Sequence, residues 1–105
     1  MKNFLSTNEC AQILRAMGDE TRLFILKSLF RGEKCGTEIA KELKLTQPRI
    51  AHHLGILKNA GLVESWREGQ KVCYRLHPIV HESFQDSDEM EINLGCCKMT
   101  FQDDF

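Results

Sequence analysis

A predicted amphipathic helix in the middle of the chain, directly followed by a predicted β-hairpin, constrains the fold most. Ile50, Leu54 and Leu57 recur at helical spacing and form one apolar stripe. Thr46 can cap the start of this helix, and Gly61 stands where a left-handed residue can end it. The opposite face carries polar and basic side chains, namely Gln47, Arg49, His52, His53 and Lys58. Because reading bases in the major groove requires such side chains on one helix face, the segment predicts a DNA-reading helix.

The hairpin is predicted from strands at residues 62–67 and 71–76, joined by residues 68–70. Alternation along the second strand turns its apolar side chains to one face and places Lys71, Cys73 and Arg75 on the other. The basic face of the strand is therefore expected to meet phosphate beside the groove.

Three helices are predicted before the reading helix, and each begins at a capping residue. Ser6 and Glu9 have the spacing of a capping box, which predicts a first helix over residues 7–17. Asp19 caps a second helix that reaches about residue 30 and is apolar enough for burial on most sides. Thr37 caps a third helix that ends at residue 43, and residues 44–45 form the turn into the reading helix.

A last helix is predicted after the hairpin, with Pro78 at its first position and Ile79, Val80 and Phe84 among its apolar residues. The acidic run at residues 86–89 weakens the helical pattern. Residues 88–105 are therefore predicted to be a tail of uncertain order.

Length and composition predict one small domain in a reducing compartment. A core built from 105 residues is only marginally self-sufficient, so oligomerisation would help to stabilise it. No stretch approaches the roughly 20 apolar residues of a membrane span, and no signal peptide opens the sequence, so no membrane partner is expected. Five cysteines, an odd number without a leader, predict a cytoplasmic location and thiol chemistry rather than structural disulfides.

Charge is divided unevenly along the chain, although the net charge is only −1. Residues 34–76 hold eight basic and four acidic residues, a net charge of +4. Residues 77–105 hold one basic and seven acidic residues, a net charge of −6. The positive charge therefore coincides with the predicted reading helix and hairpin, as binding to phosphates requires.

Several segments between about residues 10 and 80 together resemble the ArsR/SmtB family of winged-helix repressors. They are, in chain order, residues 16–26, Gly32-Glu33-x-Cys35, the reading helix from Thr46 to Leu54, Ala60-Gly61-Leu62-Val63, and Tyr74-Arg75-Leu76. The resemblance implies a mainly α winged helix-turn-helix with a small β-hairpin. Its implied order is helix, helix, short strand, helix, reading helix, hairpin and last helix.

The resemblance also implies a homodimer, joined through the first and last helices, that binds double-stranded operator DNA without any cofactor. Such a repressor leaves its operator when a metal or metalloid binds. On this interpretation residues 1–87 form the winged-helix DNA-binding and dimerisation domain, and residues 88–105 form an acidic tail that carries Cys96 and Cys97.

The DNA contacts follow from the same resemblance. It places Thr46, Gln47, Arg49, His52 and His53 at the groove, with Lys58, Arg67, Lys71 and Arg75 as phosphate contacts. Gln47 can pair with adenine and Arg49 with guanine. Because adjacent helical positions diverge, one of the two histidines must lie nearer the core.

Cys96 and Cys97 are adjacent thiols, and their chemistry suggests what is sensed. Thiolates are soft ligands and select soft ions over magnesium or calcium. Trivalent arsenic and antimony favour three thiolates in a pyramid, and an adjacent pair can supply two of them. Some arsenic sensors of the family resemble this chain in carrying such a pair near the C-terminus. Arsenite or antimonite is therefore the expected inducer.

The third thiol has two candidates. Cys10 lies with Ile13, Leu14 and Met17 on the helical face that should meet the last helix, so it is the first choice, although simple packing also explains a cysteine there. Cys35 is the alternative third ligand. In the arsenic and cadmium sensors a Cys-x-Cys motif follows Gly-Glu, but here Thr37 stands at its second cysteine position. Cys73 is expected to face DNA instead.

Other functions remain open at this stage. The same scaffold could act as a thiol redox switch, by oxidation of Cys96 with Cys97 or of either with Cys10, or as a cadmium or lead sensor. The candidate zinc ligands near the last helix lack the family's ligand pattern and are expected to be solvated; they are His77, His81, Glu82, Asp86 and Asp88. No enzyme is expected, because neither a catalytic triad order nor a glycine-rich phosphate loop is present.

Overall fold

The structure is a computed structural model and describes residues 6–78 and 90–101. Within these residues the helices are α1 (Thr7–Met17), α2 (Glu20–Phe30), α3 (Gly36–Leu43) and α4 (Gln47–Asn59). The strands are β1 (Lys34–Cys35), β2 (Val63–Glu68), β3 (Lys71–Leu76), β4 (Met90–Asn93) and β5 (Lys98–Phe101). Through β3 the predicted order is confirmed, and the fold is a winged helix-turn-helix. The helix pair is α3 and α4, and the wing is the hairpin β2–β3.

Capping residues fix where the helices begin. The Ser6 hydroxyl accepts a hydrogen bond from the Glu9 amide, and the Glu9 carboxylate accepts one from the Ser6 amide, so the predicted capping box of α1 is confirmed. Asp19 caps α2 through the Arg22 amide, and Thr46 caps α4. The predicted cap of α3 is wrong by two residues, because Cys35 occupies the N-cap position.

The end of α4 sets the direction in which the chain enters the wing. Gly61 has a φ of +82°, in the left-handed region that glycine adopts without steric cost. The Leu62 amide donates to the Leu57 carbonyl, and the Gly61 amide donates to the Lys58 carbonyl. This pair of hydrogen bonds is the Schellman motif. The predicted left-handed stop at Gly61 is confirmed.

The core lies between the helices and the sheet. Its fully buried aliphatic side chains include Ile25, Leu26 and Leu29 of α2, Ile39 of α3, and Ile50, Leu54 and Leu57 of α4. Each such side chain contributes roughly 1.5–3 kcal/mol through burial. The predicted apolar stripe of α4 is therefore the face that holds the helix on the domain. The α2 helix is buried as predicted, except that Phe24 remains 44% exposed.

A polar network around the buried Ser28 side chain connects β1 to α2 and α3. The Ser28 side chain is buried on α2 and its hydroxyl donates to the Glu42 carboxylate at 2.7 Å. The Lys34 ammonium donates to the Ser28 carbonyl at 2.7 Å and to its hydroxyl at 3.0 Å. Ser28 is the buried member of this network and has partners, whereas the Lys34 and Glu42 side chains keep 25% and 47% exposure, so the network costs little to desolvate.

The sheet of the wing has the antiparallel order β1-β3-β2. Cys35 of β1 lies directly opposite Cys73 of β3, and Cys73 lies opposite Trp66 of β2. The β2 strand begins and ends one residue later than predicted, at Val63 and Glu68, so the loop is reduced to Gly69 and Gln70. The φ of +65° at Gly69 suits this tight turn.

A second hairpin, β4–β5, occupies much of the segment predicted to be a tail of uncertain order. Met90, Ile92 and Leu94 are buried in the main core, which gives the segment a reason to fold. Gly95, with a φ of +85°, lies in the connection of residues 94–97 between the two strands, and glycine adopts this left-handed region without steric cost. The prediction of a tail is therefore wrong for residues 90–101, and the domain boundary at residue 87 stays a prediction.

The predicted last helix lies largely outside the described residues. Pro78 is helical, but Ile79, Val80 and Phe84 fall in the part that is not described. Among the helices that are described, none has the length and apolar character needed to cross a membrane.

Candidate nucleic-acid interface and thiol cluster

The outer face of α4 is exposed and polar. Gln47, Arg49, His52 and Lys58 are exposed on it, as the sequence predicted. The Thr46 hydroxyl accepts from the Arg49 amide at 3.4 Å, so Thr46 is both exposed and engaged as the cap. Burial of the apolar stripe is what turns these side chains outward.

His53 faces the interior of the domain instead. Its side chain is 14% exposed, and Nδ1 accepts a hydrogen bond from Arg22 at 3.1 Å, with an Asp19 oxygen 3.9 Å away. Burial, which disfavours the charged ring, lowers the pKa of His53, and Arg22 lowers it further although Asp19 acts in the opposite direction. The neutral ring therefore carries its proton on Nε2. Of the adjacent pair, His53 is the histidine that lies nearer the core.

The wing carries fewer unpaired charges than the sequence suggested. Arg67 and Lys71 are exposed. Arg75, however, donates to Glu64 at 3.0 Å, lies 3.7 Å from Glu33, and stacks over the Trp66 ring at 5.1 Å. These two carboxylates offset the charge of Arg75 that was predicted to meet phosphate.

A shallow groove separates α4 from the wing. Gln47 and Ala51 of α4 line one side, and Lys71 and Val72 of β3 line the other. Thr37 and Gln70 also line it, and the sequence predicted neither of them as a DNA contact. Their only sequence signal is a polar side chain beside a turn, which is too common to indicate a site.

Three cysteines meet between α1 and the β4–β5 turn. Cys10 is buried on α1, and Cys96 and Cys97 lie at the turn. The three sulfur atoms lie within 4.8 Å of one another. Cys10 and Cys96 are joined as a disulfide, and Cys97 is a free thiol whose Sγ lies 3.8 Å from that of Cys10. The structure thus brings Cys10 to the Cys96–Cys97 pair.

Cys35 and Cys73 are paired elsewhere. They form a disulfide across β1 and β3, so the structure does not bring Cys35 to the Cys96–Cys97 pair. Cys73 is only 3% exposed, which corrects the expectation that it faces DNA. The two disulfides differ from the expectation of thiol chemistry rather than structural disulfides, because the fold brings residues far apart in sequence into contact.

The candidate zinc ligands are not assembled in the described part of the chain. His77 lies 3.9 Å from Glu64, a contact within the domain. His81, Glu82, Asp86 and Asp88 fall outside the described residues.

The fold, the exposed polar face of α4 and the wing define a winged helix-turn-helix DNA-binding protein. Residues 19–65 match the family described as bacterial regulatory protein, arsR family. An uncharacterized HTH-type transcriptional regulator of Methanocaldococcus jannaschii is 52% identical over 62 residues, which are 58% of this chain and 70% of that protein. The chain therefore belongs to the ArsR family of transcriptional regulators.

Two further proteins show how far the similarity extends. The arsenical resistance operon repressor of Staphylococcus aureus is 32% identical over 83 residues, which are 78% of this chain and 80% of that repressor. A homodimeric winged helix-turn-helix DNA-binding domain of Mycobacterium bovis, solved by NMR, superposes with a TM-score of 0.64 at 33% identity, covering 66% of this chain and 64% of that one. The chain spans about half the length of some other relatives that it matches. All of these are regulators, which confirms the prediction that the chain is not an enzyme.

Proposed function

We propose that the protein is a homodimeric repressor that binds operator DNA and is released when Cys10, Cys96 and Cys97 bind trivalent arsenic or antimony. The observation that carries the proposal is the meeting of three sulfur atoms within 4.8 Å between α1 and the β4–β5 turn. A relative named an arsenical resistance operon repressor supports the choice of metalloid. Operator binding needs no cofactor, and a DNA-binding repressor of this kind acts in the cytoplasm.

The three sulfurs suit a trivalent metalloid because soft thiolates bind it in a pyramid. The Cys10–Cys96 disulfide must first be reduced, which takes two electrons and two protons from a thiol reductant. Arsenite, As(OH)₃, then condenses with three thiols to give As(SR)₃ and three waters. Cys97 is already a free thiol, and Cys10 is held in place by the helix that carries it.

Release from DNA follows from where the cluster lies. Cys10 lies on α1, one of the two helices through which we propose that the homodimer forms. Two reading helices in a dimer must lie roughly 34 Å apart to enter successive major grooves. Binding replaces the sulfur–sulfur contacts between α1 and the β4–β5 turn by three bonds to arsenic, which changes the packing at the interface and so stabilises a spacing that DNA does not fit.

On the DNA, Gln47, Arg49 and His52 contact base edges and Thr46 approaches the backbone at the start of α4. Lys58, Arg67 and Lys71 contact phosphates. His53 holds α4 on the domain through Arg22, and Arg75 supports the wing, so these two contribute mainly by position.

Fluorescence anisotropy of the reduced protein on DNA from upstream of its own gene tests the proposal. Arsenite, added without oxygen, should release wild type but not Cys10→Ser or the Cys96→Ser/Cys97→Ser pair. Cys35→Ser tests the alternative third thiol ligand, and we expect arsenite to release this variant from DNA as it releases wild type. Failure of arsenite to release wild type, or loss of release in Cys35→Ser alone, contradicts the proposed site.

A thiol redox switch is the second candidate, and the Cys10–Cys96 disulfide is the observation that favours it. Hydrogen peroxide would take two electrons from the two thiols, giving the disulfide and two waters. Release by peroxide in the absence of any metalloid would favour this candidate. Release by cadmium or lead, but not by arsenite, would instead assign the three thiols to a soft metal ion.

A further inference from the structure

A second cysteine pair, Cys35 and Cys73, lies in the sheet β1-β3-β2 and not at α1. Cys35, Cys73 and Trp66 are directly opposed on three neighbouring strands, so their side chains share one face of the sheet. Glu68 follows Trp66 by two residues along β2 and therefore lies on the same face. Each strand thus contributes one potential metal ligand to this face of the sheet, and the three ligands are Cys35 of β1, Glu68 of β2 and Cys73 of β3.

The ligand atoms of this group are close enough to share one ion. The sulfur atoms of Cys35 and Cys73 and a carboxylate oxygen of Glu68 lie within 4.8 Å of one another. The Trp66 indole N–H donates to Glu68 Oε2 at 2.9 Å, which orients the carboxylate beside the cysteine pair. An outer hydrogen bond of this kind orients the ligand that it supports.

We propose that Cys35, Cys73 and Glu68 bind one divalent cation of the soft or borderline class, such as cadmium or zinc, once a thiol reductant has supplied the two electrons and two protons that convert the Cys35–Cys73 disulfide to two thiols. Two thiols lose two protons as the ion binds, and Glu68 supplies the third bond. Water takes the fourth position, because Glu68 is exposed at this edge of the wing.

Charge in the surroundings fits this ligand set. Two thiolates and one carboxylate carry three negative charges, of which the ion neutralises two. Lys71, which lies opposite Glu68 in the register, offsets the third. The N-terminal end of α3, where Cys35 is the N-cap, adds a further partial positive charge that favours a thiolate. Cys73 is 3% exposed, so its bond to the ion is shielded from water.

The bound ion would join β1 and the start of α3 to both strands of the wing. This site shares no residue with the Cys10 cluster. It can therefore bind its ion whether or not the proposal of a metalloid-responsive repressor is correct.

The test uses the full chain with Cys10→Ser, Cys96→Ser and Cys97→Ser, reduced by a phosphine and kept free of oxygen. Cadmium chloride is titrated in while two signals are recorded, the ultraviolet thiolate-to-cadmium absorption and the fluorescence of Trp66, the only tryptophan in the chain. We expect both signals to saturate at one cadmium per chain. Circular dichroism checks that every variant keeps its helices.

Substitutions in the same background identify the ligands. Cys73→Ser and, separately, the less buried Cys35→Ser should each abolish saturation at one equivalent, and Glu68→Gln should weaken binding by about tenfold or more. Glu64→Gln, on the same strand but engaged with Arg75, should bind as the background does. Absence of a stoichiometric signal in the folded background, or its persistence in either folded cysteine variant, overturns the proposal.

Discussion

Arg22 donates to Nδ1 of His53 across 3.1 Å, and this hydrogen bond joins the first turn of α2 to the middle of α4. The Arg22 Nε–H also donates to the Ala16 carbonyl at the end of α1. The Arg22 guanidinium therefore links three helices, α1, α2 and the reading helix α4. This contact adds to the buried apolar stripe of α4 in setting the orientation of its exposed face.

Lowering the pH should destabilise the protein through His53. The pKa of His53 is lowered mainly by burial, so the unfolded chain takes up the proton more readily than the folded chain does. The stability that the neutral ring provides is fully present above the unfolded pKa near 6.5 and is lost as the pH falls through the lower folded pKa. Urea unfolding at pH 7.5 and 5.5, followed by Trp66 fluorescence, should show lower stability at pH 5.5.

The matched variant for this experiment is His53→Asn. Its amide oxygen can accept from Arg22 in place of Nδ1 but does not titrate, so the difference in unfolding free energy between the two pH values should shrink. His52→Asn, on the exposed side of α4, should leave that difference as in wild type. An unchanged difference in His53→Asn would assign the pH dependence to another group.

Substitution of Arg49 should weaken and broaden DNA recognition. Arg49 is exposed on the first turn of α4, where a bidentate contact to guanine contributes about 1–3 kcal/mol of discrimination. Arg49→Ala should lose about this amount on the operator and much less on random DNA, measured by anisotropy at fixed salt. Lys58→Ala should weaken binding to the operator and to random DNA by a similar factor, because a phosphate contact does not read sequence. Equal losses for Arg49→Ala on both DNAs would exclude base reading by Arg49.

The wing arginine and lysine should differ in their salt dependence. Lys71→Ala should reduce the slope of log affinity against log salt by about 0.9, the value for one phosphate contact. Arg75→Ala should change the slope less, because Glu64 and Glu33 already offset its charge. Operator affinity measured at several salt concentrations gives the slope for each of the two variants. A larger change in slope for Arg75→Ala than for Lys71→Ala would show that DNA displaces those carboxylates.

The β4–β5 hairpin should contribute to the stability of the whole domain. Ile92 is fully buried in the main core, and its truncation to alanine should cost about 2–5 kcal/mol. Thr100→Ala, at an exposed position of the neighbouring strand, should change stability by about 0.5 kcal/mol or less. Urea unfolding under reducing conditions gives the unfolding free energy of each of the two variants. A small loss for Ile92→Ala would mean that the hairpin does not fold together with the core.

The elements that sequence alone predicted are those fixed by local chemistry. The cap at Thr46, the left-handed Gly61 and the stripe through Leu54 all act within one helix, so their spacing is visible in the sequence. The alternation of Met90, Ile92 and Leu94 was visible too, but it covers few residues and follows an acidic run. The sequence does not show the apolar surface of the main core against which these three side chains pack.

The parts that could not be predicted depend on contacts between distant residues. Arg75 was expected to be free because nothing in the sequence places Glu64 or Glu33 beside it. The pairing of Cys35 with Cys73 depends on the register of β1 against β3. The choice of Cys10 over Cys35 as partner of the adjacent thiols could be weighed from the sequence, but only the fold brings Cys10 to the β4–β5 turn.

Substitution of Leu14 should separate the proposed dimer. Leu14 is 41% exposed on α1, the helix that we propose to lie in the interface, and a charge there would be desolvated in the dimer. Leu14→Glu should therefore shift the protein toward monomer in analytical ultracentrifugation and lower operator affinity with it. Phe24→Glu, at a residue 44% exposed on α2, changes a comparable apolar surface outside that interface and should stay dimeric. A monomeric Phe24→Glu with a dimeric Leu14→Glu would move the interface from α1 to α2.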